Sequence, residues 1–260
     1  GQPFISHESL ANTPIVLPSL GGQRAIAEVL GALDDKIEAN ERLLQTARGL
    51  LAARFELLVA SRSAGWRRSS LGDHLEVLET GSRPKGGVSR FRAGVPSLGA
   101  ESVLGLAAYD YSKTKYVPDE FFASMKRGVV EDLDVLLYKD GGRPGEFEPH
   151  VSLLGNGFPF PRFCINEHVY RLRVRPPLTQ EFLYCWLSGE QTMEEMRRRG
   201  TGVAIPGLNS SAVRGLAIDV PPSSILEEFS LAARPLVQLA LEVAKESRIL
   251  AELRDTLLPP

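Results

Sequence analysis

The stretch IAEVLGALDDKIEANERLLQTARGLLAARFELL, residues 26–58, decides the fold. Within it Ile26, Leu30, Leu33, Ile37, Asn40, Leu44, Ala47, Leu51, Arg54 and Leu58 recur at alternating steps of four and three, and eight of these ten are apolar. No proline interrupts the run. That spacing is a heptad seam, and it predicts a helix of about 36 residues after Pro18, about 50 Å long at 1.5 Å per residue. Asn40 falls on the seam, where a single polar residue can fix register by finding a polar partner across the interface. A solvated edge position would explain it equally well.

A second seam lies at the far end of the chain. Phe229, Ala232, Leu236, Leu239, Val243, Glu246, Leu250, Leu253 and Leu257 follow the same spacing, and eight of the nine are apolar. Pro235 falls inside it and predicts a kink or a restart, because proline removes a backbone donor and crowds the preceding turn. Each seam needs a partner to hide it from water, so the two helices are expected to pack on each other. The seam positions expected at that interface are Ile26, Leu30, Leu33, Ile37, Asn40, Leu44, Leu51, Leu236, Leu239, Val243, Leu250 and Leu253.

Shifting the sequence by 203 residues exposes an internal repeat. Pro3 falls on Pro206, Ile5 on Leu208, Leu10 on Val213, Ile15 on Ile218, Pro18 on Pro221, Ile26 on Phe229 and Leu33 on Leu236, without a gap. Each copy reads as a short extended piece, a proline turn and a long helix. The chain is therefore expected to open on the tail of a preceding domain, residues 1–17, followed by a spacer helix over 18–60. A further domain over 61–217 and a distal helix over 218–260 complete the plan. Between the helices glycine and proline become dense. Short β-rich runs appear at Ser70–Leu78, Val95–Leu98, Leu133–Tyr138, Val151–Leu154, Val169–Val174 and Leu216–Val220, and Glu181–Arg199 reads as one helix.

Composition narrows the function classes. Thirty Lys and Arg against thirty-two Asp and Glu give a net charge of −2, which excludes a strongly basic, tail-driven nucleic-acid binder. Residues 61–217 hold 21 basic and 18 acidic side chains while the flanks are acidic, so the two regions are expected to face different partners. Cys164 and Cys185 lack any metal-binding spacing and read as reduced thiols of a cytoplasmic protein; no metal and no cofactor is expected. No apolar run reaches the length of a membrane span.

Signatures of catalysis are sparse. There is no phosphate-binding loop and no nucleophile elbow, and the four histidines, His7, His74, His150 and His168, are scattered. Asp132, Asp134 and Lys139 have the composition of a metal-nuclease cluster, but a turn leading into a strand explains them more simply. Three loops carry recognition chemistry instead: Thr80–Gly87, Lys139–Arg143 and Arg197–Gly202. Each pairs small residues, which let a backbone approach closely, with Arg or Lys. Arginine reads guanine edges through two parallel hydrogen bonds, whereas Lys and backbone amides hold phosphates. For Arg197–Arg199 the dipole of a helix C-terminus is a sufficient alternative.

The run Ile15-Val16-Leu17-Pro18-Ser19-Leu20-Gly21-Gly22-Gln23-Arg24-Ala25-Ile26-Ala27, continued by Leu33-Asp34-Asp35-Lys36-Ile37-Glu38-Ala39-Asn40, resembles the conserved region of type I restriction-modification specificity subunits. Gly22 stands where that family usually carries Glu. Gly94–Leu98, Asp132–Leu136 with Lys139-Asp140-Gly141, Cys164–His168, Gly202–Leu208 and Leu250–Pro259 resemble further parts of the family pattern. The resemblance implies an α+β chain, in which an irregular target-recognition domain is flanked by two long helices forming an antiparallel coiled coil. It implies a non-catalytic reader of one half of a bipartite double-stranded DNA target, touching about three to five base pairs in the major groove. Implied partners are modification (methyltransferase) subunits and through them a restriction subunit, with a homodimer through the helices as a further possibility. On that reading Ser82, Arg83, Lys85, Lys139, Arg143, Arg198, Arg199 and Thr201 are the candidate DNA contacts. A protein-interaction scaffold and a metal-dependent nuclease stand as alternatives.

Overall fold

A computed structural model describes residues 5–62, 65–141, 146–200 and 206–258. The chain runs α1 (His7–Ala11), α2 (Leu20–Ala60), β1 (Arg67–Ser70), β2 (Leu75–Thr80), β3 (Val95–Leu98), β4 (Lys115–Val117), α3 (Asp119–Ser124) and β5 (Val135–Tyr138). It continues with β6 (Val151–Leu153), β7 (Cys164–Ile165), β8 (Val169–Val174), α4 (Gln180–Ser188), α5 (Glu190–Arg199), α6 (Ser210–Arg214), β9 (Ala217–Val220) and α7 (Ser223–Leu257). Strands β2-β8-β5-β6 form an antiparallel sheet, β4-β3-β7 a mixed one and β1-β9 a two-stranded ribbon. The fold is α+β, with irregular sheets in the part of the chain that separates two long helices.

Those helices pack antiparallel. Asp34 meets Arg254, Asn40 meets Glu246, and Phe55 meets Phe229, so residues ascending α2 pair with residues descending α7. Ser19 starts α2 by accepting a bond from the Gly22 N–H at 3.2 Å, a capping role open to Ser but not to an apolar residue. Asn40, Leu44, Ala47, Leu51 and Phe55 are buried along α2, while Leu30, Leu33 and Ile37 are half-buried.

The seam departs from the heptad expectation in identifiable places. Ile26 is 50% exposed. With Arg254 level with Asp34 and α7 ending at Leu257, the first turns of α2 project past their partner. Exposed Arg54 yields its place to Phe55, which forms an edge-to-face cluster with Phe182 (5.6 Å) and Phe229 (6.0 Å). In α7 the buried line is Phe229, Ala233, Val237, Ala240, Leu241 and Val243; Leu236 and Leu250 are half-buried, while Leu239 and Leu253 are 36% and 48% exposed. The heptad pattern assumes one neighbour, but α7 has two, α2 and α4, so its buried arc is rotated toward the sheets. No restart occurs at Pro235, through which α7 runs as a single helix.

Two further expectations are corrected. Glu181–Arg199 is not one helix: Gly189, extended at ψ 141°, ends α4 and begins α5. The break lets α4 bury Phe182, Leu183 and Leu187 while α5 turns toward β9. Residues 70–78 are likewise divided, by a single 3-10 turn between β1 and β2.

The repeat has a structural counterpart. α1 and α6 begin and end 203 residues apart, as the starts of α2 and α7 do, and Ser6 and Asn209 each cap the first of these helices with a side-chain oxygen. The copies differ between them: β9 pairs with β1, whereas residues 14–17 have no ladder partner among the described residues and leave Ile15, Val16 and Leu17 exposed.

The sheets are fastened to both long helices. Arg48 of α2 donates twice to the Leu106 carbonyl, at 2.9 and 2.6 Å, and the Leu106 N–H donates to the Tyr184 hydroxyl at 3.0 Å. From α7, the Arg248 guanidinium lies 4.1 Å over the Tyr111 ring, and Lys245 donates to the Asn156 carbonyl at 3.0 Å.

Candidate nucleic-acid interface

Four loops meet at the corner where β2, β5 and β8 present their ends. The turn after β2 is pinned against residues 165–166: the Gly81 N–H donates to the Asn166 carbonyl at 3.2 Å, and the Ile165 carbonyl oxygen lies 1.6 Å from where a Gly81 side chain would begin. Only glycine permits that approach. After β5, the Gly141 N–H donates to the Pro206 carbonyl (3.1 Å) and the Leu208 N–H to the Lys139 carbonyl (2.8 Å). Gly207 crosses there too closely to Asp140 for any side chain. Gly200 packs in the same manner on Phe147, whose ring stacks on Tyr138 at 5.7 Å. The segments flanking residues 142–145 and 201–205 therefore share one base.

Of the sequence-predicted contacts, Arg83 and Lys139 come together here. Arg83 donates to Glu167, and its Nη2 lies 3.2 Å from His168 Nε2. Lys139 pairs with Asp140, which also bonds His168 Nδ1. One histidine thus links the two cations through their acids. Ser82 and Lys85 stand exposed on the adjoining turn. Arg143 and Thr201 lie outside the described residues.

Arg198 and Arg199 point elsewhere. Arg199 pairs with Glu195 (2.6 Å) and donates to the Ala212 and Gly215 carbonyls, tying the end of α5 to α6. Arg198 lines a polar cleft with Arg68, Trp186 and Asp219. Arg197 is bonded to Glu148 at 2.7 Å and to Glu190 at 3.2 Å. Glu167 escaped the sequence reading, although it lies in a quoted motif, because pairing across 84 residues leaves no periodic trace; Asp140 sits beside Lys139 in the quoted loop but was not read as its partner.

The nuclease grouping is not assembled. Asp134 is buried and bonded to Arg171, to Arg173 (2.8 Å) and to the Glu131 N–H (2.7 Å). Asp132 accepts from the Asn156 N–H. Lys139 stands at the opposite end of β5, roughly 16 Å away at 3.3 Å per residue. Arg171, buried in β8, also bonds Glu79 of β2 at 3.0 Å. The ionic core beneath the corner is structural.

No family model matches the chain. It is 23% identical over 275 residues to the type I restriction enzyme MjaIX specificity subunit of Methanocaldococcus jannaschii, an alignment covering 99% of this chain and 61% of that protein. The crystal structure of a type I restriction-modification system S subunit from M. genitalium superposes with a TM-score of 0.60 at 16% identity, covering 92% of this chain and 60% of that one. The chain is similar to type I restriction specificity subunits. It spans about 60% of the length of the relatives it matches. The superposition shows a fold shared over 92% of the chain.

Proposed function

We propose that this chain is a DNA-sequence reader, the specificity component of a type I restriction-modification complex, taking no part in the chemistry itself. Residues 61–217 form the target-recognition domain and engage one half of a bipartite duplex target. Residues 1–17 are the tail of a preceding recognition domain, and 18–60 and 218–260 are the spacer helices. The single observation that carries this reading is the convergence of Arg83, Lys139 and the bases of two further loops on one corner of a fold shared with a specificity subunit. Ser82, Arg83, Lys85 and Lys139 are the proposed contacts at that corner, and Arg143 and Thr201, outside the described residues, are proposed from their loops alone. Arg198 and Arg199 are secondary, since Arg199 is engaged in holding α5 to α6.

The outer face of α2 carries Leu43, Leu50 and Leu57, seven residues apart and exposed. An apolar stripe at heptad spacing suits a partner helix, and modification subunits are the proposed occupants, bringing a restriction subunit with them. Pairing of two copies through the helices would supply a second half-site. The protein works in the cytoplasm, where such a complex meets DNA.

The test is co-purification with a modification subunit, followed by genome-wide mapping of methylated sites. A bipartite motif whose half changes with this chain supports the reading; a motif indifferent to it refutes it. With the mapped duplex, Arg143→Ala is expected to weaken binding by about 1–3 kcal/mol, with a loss of base preference, if Arg143 grips a guanine. Lys85→Ala should weaken binding to all sequences alike and lower the salt slope by about one.

A further inference from the structure

Three ion pairs crowd the proposed DNA-reading corner: Arg83 with Glu167, Lys139 with Asp140, and Lys115 with Glu101. His168 stands among them, bonding Asp140 through Nδ1 with its Nε2 3.7 Å from Glu167 Oε1. Every cation in this group is thus matched by one acid. These pairs are unlike the Arg171–Asp134 pair beneath them, which is buried and fully bonded. Their side chains are partly exposed, and pairs of that kind contribute little to folding. Glu167 is also incompletely satisfied, because its Oε2 is shut away from solvent without a hydrogen-bond partner among the described residues. Burial works against the charge on Glu167, yet the Arg83 guanidinium holds its carboxyl below the usual range. A carboxylate with one oxygen bonded and the other stranded is a poor structural bridge but a releasable one.

We infer that Glu167 and Asp140 form an electrostatic latch, holding Arg83 and Lys139 in the DNA-free protein and repelling phosphates, so that only a duplex whose base edges offset the broken pairs binds tightly. The inference rests on the DNA-reading proposal and adds a source of discrimination to it. At physiological salt, screening sets in over about 8 Å, so acids within bonding distance of the reading cations act on any phosphate those cations approach. A latch of this kind lowers affinity for every duplex and lowers it least for the right one.

The experiment measures binding of a 30-base-pair duplex of random sequence across a salt series, with the wild-type chain, Glu167→Gln, Asp140→Asn and the double variant Arg83→Ala/Glu167→Gln. Glutamine and asparagine keep shape and hydrogen bonding while removing charge. Each single variant is expected to bind the random duplex about three- to tenfold more tightly, with a salt slope steeper by about one. The double variant should return toward wild type, because the freed guanidinium is gone. Unchanged or weaker binding by both single variants, with wild type still binding duplex, overturns the latch alone and leaves Glu167 as a support for Arg83. Absence of duplex binding by every protein, including wild type on its mapped methylation site, overturns the DNA reading and the latch with it.

Discussion

Asn40 of α2 donates from Nδ2 to Glu246 Oε2 of α7 at 2.8 Å and is 2% exposed. Lys36 reaches the same carboxylate at 3.2 Å. A buried amide with one partner across an interface favours a single register, because any slip strands it without a bond. Asn40→Ala is expected to cost roughly 1–3 kcal/mol, combining a lost bond with a small cavity. Urea denaturation followed by circular dichroism measures it; an unchanged midpoint would place Asn40 among the dispensable positions.

Phe55 joins the two long helices to α4 through the rings of Phe182 and Phe229. Phe55→Ala should destabilise the chain by about 3–5 kcal/mol, the range for truncating a buried aromatic residue. Leu57→Ala, two residues further along α2 and exposed, should change stability by less than about 0.5 kcal/mol. The contrast between the two, read in one denaturant series, tests whether Phe55 rather than Arg54 occupies the seam.

Arg48 fixes the Leu106 segment to α2 through two charge-assisted bonds. Arg48→Ala is expected to leave the sheets folded while loosening their mount. Amide hydrogen exchange should quicken at residues 105–107, where Leu106 and Ala107 donate to Tyr184 and to the Leu153 carbonyl. Exchange unchanged at those amides would show that Tyr184 alone suffices.

Several carboxyls are held below their ordinary values: Glu246 by bonds from Asn40 and Lys36, Asp73 by the hydroxyls of Ser70 and Ser69, and Asp110 by that of Ser112. A depressed folded value means the unfolded chain takes up protons first. The stabilisation is therefore present above the ordinary values, 3.8 for Asp and 4.5 for Glu, and is lost as pH falls through the folded ones. Thermal melting temperature should hold steady above pH 6 and drop below about 4.5. Glu246→Gln should flatten part of that drop.

Much of this fold was legible because its signals are local. Strand β8 occupies the residues read as Val169–Val174, and both long helices follow from apolar spacing. What escaped depends on neighbours distant in sequence. The buried arc of α7 takes in Ala240 and leaves Leu239 36% exposed, a choice made by what packs around the helix rather than by its own spacing. The break at Gly189 reflects where α4 must stop to bury Leu187. At the corner, the cations were visible as cations, but Glu167 was not visible as a partner: Arg83 and Glu167 meet only because Gly81 and Ile165 cross in contact.

The mount that carries the sheets grips main chain as much as side chain. Arg48 holds a carbonyl, Lys245 holds another, and Tyr184 meets an amide N–H. Every residue type brings that carbonyl, and every type but proline brings the amide as well. The surface borne by the mount can drift in composition, acquiring new preferences by mutation, while the chassis beneath it keeps its alignment.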